Sequence, residues 1–144
     1  MPKSYFNPDN VFNRPSYSHA VKTGNMIFVA GQVGVDINGE IVGRGNIAIQ
    51  AEQAWLNMKN VLEAAGARLT DLVDVTTYIT DPNDIVGIRK VRERFLNHQN
   101  KPTSTLVVAK ELADPALLIE IKGVAILDWV FIVRCIWTNT IDLC

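Results

Sequence analysis

Between Asn46 and Gly66 apolar side chains recur at helical spacing, while the segments on either side are rich in β-branched residues. Ile47, Gln50, Ala51, Ala54, Trp55, Met58, Val61, Leu62 and Ala65 fall on one face of that helix. Asn46 is a fitting N-cap, and Gly66 suits the left-handed residue that ends a helix. An amphipathic helix of this length has to cover something, and the neighbouring runs read as the strands of a sheet. This one feature removes all-β and all-α solutions from consideration.

The rest of the order follows from turns and periods. Residues 26–35 form an apolar run preceded by the turn pair Gly24-Asn25, which suits a tight hairpin back to a strand at 17–22. Asn38-Gly39 is a second turn of the same kind. Residues 72–80 are rich in Val and Thr and read as a strand ended by Asp81-Pro82-Asn83-Asp84. A second helix starts near Asp84, with Ile85, Ile88, Val91, Arg92 and Phe95 on one face and Arg89, Lys90, Glu93 and Arg94 toward solvent. Pro102 closes that region, residues 103–109 form a strand, Asp114-Pro115 a turn, and 117–126 the last strand. The predicted order is β-β-α-β-α-β-β, an α+β domain of one mixed sheet with two helices on one face. The other sheet face is apolar enough to need cover, which predicts burial by self-association.

The 144 residues fit one domain, with 48% hydrophobic and 20% charged residues. A formal net charge of -1 gives no basic field, so neither nucleic acid nor an anionic membrane is an expected partner. Cys135 and Cys144 are too few for a disulfide framework, and His19 and His98 stand at no metal-ligand spacing, so neither metal nor other cofactor is expected. The N-terminal residues lack the apolar core of a signal peptide, which makes the cytoplasm the default location. The apolar stretch from Gly123 to Trp137 is too short for a membrane span and is interrupted by Asp128 and Arg134.

Several segments, in order, resemble the RidA (YjgF) family. These are Ser18-His19-Ala20-Val21, Phe28-Val29-Ala30-Gly31-Gln32, Gln50 to Ala54 with Asn60 to Gly66, Val75-Thr76-Thr77-Tyr78, Pro102 to Val107, and Leu118-Ile119-Glu120-Ile121. The resemblance runs from about Tyr17 to Leu127. It implies a single domain over residues 1–127, a chorismate-mutase-like fold, and a homotrimer whose sheets form a barrel with a small-molecule cleft at each subunit interface. It also implies hydrolysis of reactive imines or enamines to carbonyl compounds and ammonia, with no cofactor. By the same likeness, Glu120 corresponds to the carboxylate that handles water. Tyr17 corresponds to a residue flanking the substrate, and Gly31 to a glycine whose backbone lines the cleft. A Glu between Leu118, Ile119 and Ile121 can be partly desolvated, which raises a carboxyl pKa, although strand alternation also allows a solvated Glu120.

The departures matter as much. Ser104 stands where the founding type has an Arg that binds the substrate carboxylate. A hydroxyl cannot replace that ion pair, and losing such a partner costs about 3–5 kcal/mol. Arg89 stands where that type tends to have Asn, and Leu106 where some members have Cys. The expectation is therefore a RidA-like protein acting on an imine or enamine other than a typical amino-acid imine. Ser104 and Thr105 would offer hydroxyls to the ligand, and Arg89 or Arg14 are the cations within reach of restoring a charge. Tyr17 and Phe12 are possible stacking partners. The alternative is a non-catalytic binding or sensing protein using the same cleft. The resemblance stops at Asp128, and residues 128–144 are an apolar extension of unassigned role.

Overall fold

The computed structural model describes residues 1–128. The expectations about the tail, including Trp129, Trp137 and both cysteines, lie outside the described residues. The elements are β1 (Lys3–Phe6), β2 (Ala20–Thr23), β3 (Met26–Val33), α1 (Ile47–Ala64), β4 (Leu72–Ile79), α2 (Ile85–Phe95), β5 (Thr103–Val108) and β6 (Ile119–Ile126). They build one six-stranded sheet in the order β1-β2-β3-β6-β4-β5. All neighbours are antiparallel except β4 and β5, which the α2 crossover makes parallel.

Local chemistry fixes the boundaries. The Asn46 side chain accepts from the backbone N–H groups of Ala48 and Ile49 at 3.1 and 3.2 Å, starting α1. At the other end Gly66, at φ 81°, lets its own N–H reach Glu63 O and lets Ala67 N reach Leu62 O, a Schellman closure. The Asp81 side chain accepts from Asn83 N and opens the single turn of 3-10 helix that leads into α2.

The core lies between the helices and one sheet face. Trp55, Met58, Val61 and Leu62 of α1 pack with Ile27, Val75, Ile79, Ile119 and Ile121 of the sheet, all 2% exposed or less. Trp55 stacks on Phe95 of α2 with ring centroids 6.0 Å apart. β6 alternates buried and open positions along its whole length, as one covered face requires.

The opposite face is open in the single chain. Met26, Phe28 and Ile126 are exposed there, and every residue of the edge strand β5 is exposed, including Leu106, Val107 and Val108. The expected uncovered apolar face is therefore present. β1 was not expected. It is a short, mostly exposed strand held to the edge through pairing with β2. No helix of the described residues is long and apolar enough to cross a membrane.

Candidate functional site

Register decides which predicted residues can meet. β3 and β6 pair evenly from Met26–Ile126 to Val29–Gly123, then shift by one residue before Gln32–Ile121 and Val33–Glu120. Ala30 and Gly31 lie in that bulge, which inverts the alternation of β3. Gln32 joins the buried set at 2% exposure, and Val33 sits beside Glu120 on the open face.

Gly31 is where the bulge matters. A Cβ there would stand 2.6 Å from Glu120 Cδ and 2.8 Å from Cγ. The Glu120 side chain thus lies over the bare α-carbon of Gly31, in space that any other residue would fill.

Glu120 is half-buried, and burial pushes its carboxyl above the ordinary glutamate range, partly opposed by the charge of Lys122 two residues on. It lines a groove of about 1040 Å³, open to solvent, together with Arg14, Tyr17, Ala30, Gly31 and Leu117. Tyr17 is 43% exposed and packs edge-on against the His19 ring at 5.5 Å. His19 itself is buried and structural. Its Nδ1 faces the Gln32 amide at 3.2 Å and its Nε2 faces Phe12 O at 3.0 Å, which fixes the loop carrying Phe12, Arg14 and Tyr17. The Gln32 donor makes Nδ1 the acceptor and Nε2–H the donor. The Arg14 guanidinium lies 5.3 Å from the centre of the Phe12 ring. Phe12 therefore packs against a cation at the groove wall.

The strand below Glu120 is held from α1. The buried Gln50 amide donates to Ala116 O and accepts from Leu118 N, both at 2.9 Å. It positions the approach to β6 without entering the groove.

The other predicted residues divide between the two faces. Tyr78 pairs with both Glu120 and Val107, so these three form one row on the open face. Thr105 pairs with Thr76, whose other partner is Lys122, and lies one row further along that face. Ser104 pairs with Val75 and therefore points to the helix side. Within one chain Ser104 and Glu120 are on opposite faces of the sheet, so the two ends of the expected cleft do not meet there.

Ser104 instead belongs to a second cavity, about 450 Å³ and open to solvent, between α2 and the β5 edge. Arg89 and Leu106 line it with Trp55, Ile88 and Ile121. Arg92 also enters it, and its Nη1 donates to Ser104 Oγ at 2.5 Å. The sequence did not announce that Arg92 lies beside Ser104. The signal was its place on the inward stripe of α2, where a charged residue interrupts Ile88, Val91 and Phe95.

Comparison with known proteins agrees with this architecture. Residues 11–127 match the family model described as endoribonuclease L-PSP. A RutC family protein of Pyrococcus horikoshii is 40% identical over 110 residues, 76% of this chain and 85% of the relative. A 2-iminobutanoate/2-iminopropanoate deaminase of Dermatophagoides farinae is 36% identical over 112 residues, 78% of this chain and 86% of that protein. Among solved structures, RidA from a Psychrobacter species superposes with a TM-score of 0.80 at 29% identity, covering 86% of this chain and 99% of that one. With its mixed sheet, its paired helices and a match over nearly the whole described chain, the protein belongs to the endoribonuclease L-PSP family, the RidA/YjgF proteins.

Proposed function

We propose that the chain hydrolyses small imines or enamines to a carbonyl compound and ammonia, with Glu120 handling the water. The observation that carries this reading is the half-buried Glu120 carboxyl seated over Gly31, with its pKa raised by burial, in a groove shared with Tyr17. A carboxylate tuned upward is a better base near neutral pH than a solvated one. It takes a proton from water as the oxygen adds to the C=N carbon, while the imine nitrogen gains a proton. Glu120 passes that water proton to the imine nitrogen, giving a neutral carbinolamine, then takes the carbinolamine hydroxyl proton and delivers it to the departing nitrogen as C=O forms and ammonia leaves. Water is consumed, ammonia is released, and no redox change occurs. The deaminase among the relatives supports this class of reaction.

The working unit in this proposal is a homotrimer. Glu120 and Ser104 lie on opposite faces of one sheet, so one ligand reaches both only if they come from different copies. The exposed β5 edge and the apolar open face around Phe28 give a neighbouring copy its docking surface. The formal charge of -1 supplies no long-range attraction for a polyanion, so RNA is not the substrate we propose.

The test is ammonia release from imines freshly generated by an amino-acid oxidase and from preformed enamines, with wild type compared with Glu120→Gln. Turnover above background that is lost in the variant is expected. No turnover on either class sinks the enzymatic reading. Ligand-induced thermal stabilisation that survives in Glu120→Gln would then favour the binding or sensing protein, an alternative to which the serine at position 104 lends weight.

A further inference from the structure

Two walls of the Glu120 groove come from different segments of the chain. The Gly31 bulge of β3 seats the carboxylate, and the loop between β1 and β2 brings Tyr17. That loop has no helix or strand of its own, and Tyr17 is exposed on it. What joins the two walls is a buried pair, His19 at 3% exposure and Gln32 at 2%. The Gln32 amide nitrogen donates to His19 Nδ1 at 3.2 Å and to Ala30 O at 3.0 Å. Ala30 N donates in turn to His19 O at 2.9 Å, so both backbone polar groups of the residue before Gly31 end on the pair. On the loop side, His19 Nε2 donates to Phe12 O at 3.0 Å, and His19 N donates to Asn7 Oδ1 at 2.9 Å.

We propose that His19 and Gln32 are a positioning pair that holds Tyr17 in a set place relative to the Gly31 seat of Glu120, so that the groove is assembled before a ligand arrives. The proposal rests on the hydrolase reading above and adds two residues to it. Neither residue lines the groove. Both line a separate cavity of about 300 Å³ that also reaches Tyr17, Gly31 and Asn57. They act through the Tyr17 ring, which meets the imidazole edge-on at 5.5 Å, and through the Ala30 backbone. The arrangement has one solution. Turning the Gln32 amide over would set its oxygen against Ala30 O, and turning the imidazole over would set ring C–H groups against Gln32 and Phe12 O. Unpairing such groups inside the protein is costly, so the pair resists a reorientation that an exposed loop would otherwise undergo. The strand beyond the bulge is pinned separately, by the Asn57 amide of α1 donating to Val33 O and Val35 O at 3.1 and 2.9 Å. What the pair adds is the placement of the loop.

The test compares His19→Leu, which removes both ring nitrogens, with His19→Gln, whose amide can accept from Gln32 and donate to Phe12 O. In turnover of an imine generated by an amino-acid oxidase, His19→Leu should lower kcat/KM by about tenfold or more, and His19→Gln should stay within about threefold of wild type. Because the pair acts through Tyr17, His19→Leu in a Tyr17→Ala background should cost less than about twofold beyond Tyr17→Ala alone. The full loss recurring in that background would overturn the proposal. So would wild-type kinetics in His19→Leu, or a His19→Gln as impaired as His19→Leu. A second readout needs no turnover. NMR relaxation of ring-labelled tyrosine, with Tyr17 assigned through Tyr17→Phe, should find the ring as ordered in His19→Gln as in wild type and mobile in His19→Leu. An equally ordered ring in His19→Leu would overturn the proposal as well. Should His19→Leu fail to fold, His19→Phe keeps a ring in place without either nitrogen, and the same losses are expected of it. A wild type without turnover sinks the hydrolase reading alone, since the ring measurement still decides the fate of the pair.

Discussion

Replacing Gly31 with alanine adds one methyl group and removes no polar atom, yet it should disable the groove. The new Cβ would sit 2.6 Å from Glu120 Cδ and 2.8 Å from Cγ, against an ordinary contact distance of at least 3.4 Å. Glu120 Oε1 would be closer still, so the carboxylate must retreat by more than about 1 Å. A displacement of about 1 Å at a reacting group costs on the order of 100-fold in rate. Gly31 has no positive φ, so the backbone accepts alanine without strain, and the loss of unfolded-state freedom offsets part of the steric cost. The expected signature is a kcat/KM for imine hydrolysis reduced about 100-fold with a melting temperature shifted by only a few degrees. The assay is keto acid and ammonia formation from an imine generated in situ, beside a calorimetric melt. Activity within twofold of wild type would refute the claim that Gly31 exists to seat the Glu120 carboxylate. A collapse of the melting temperature would show that the bulge, not the carboxylate, needs the glycine.

The direction of the Glu120 shift sets a pH dependence. A base works deprotonated, so kcat/KM should hold at higher pH and fall as pH drops through a carboxyl pKa above the ordinary glutamate range. Glu120→Gln should abolish that limb along with most of the rate, and a limb retained in the variant would assign it elsewhere. The same raised pKa disfavours the charged form in the folded chain, so this group's contribution to stability declines as pH rises from the unfolded value through the folded one, a trend Glu120→Gln should remove from melts across that range. Gln50→Ala strands Ala116 O and Leu118 N beneath β6 and should cost roughly 1–3 kcal/mol in chemical denaturation, while an unchanged midpoint would contradict the role given to that amide. Phe28→Glu places a charge on the open sheet face and should shift sedimentation from trimer toward monomer, with wild-type sedimentation speaking against that face as the interface.

The sequence disclosed most where a single element carries its own signals. α1 could be read from the Asn46 cap, the helical period and Gly66, and the structure uses all three. The strands were placed well but their ends were not. Residues 17–19 do not join β2 because His19 is held by Asn7 and Phe12 in an irregular loop. β3 stops at Val33 because its bulge redirects the chain into the turn bridged by Val35 and Ile41. β1 escaped notice because Lys3, Ser4 and Tyr5 are exposed and carry no buried alternation. At the candidate site, the seating of Glu120 over Gly31 rests on a register shift that no local pattern announces. Arg92 reaches Ser104 only because α2 crosses over to make β5 parallel to β4, a fact of tertiary topology. Its place on the apolar stripe of α2 was visible, but the partner that gives it meaning was not.

The central claim is that Glu120, seated over Gly31, handles water in a cleft completed by the Ser104 side of another copy of the chain. A crystal structure of the assembled protein with 2-oxobutanoate bound tests it most directly. The account predicts the ligand's carbonyl carbon beside Glu120 of one chain, with further contacts from the Ser104 side of a neighbouring chain. A ligand that contacts only one chain, or that lies away from Glu120, would contradict it.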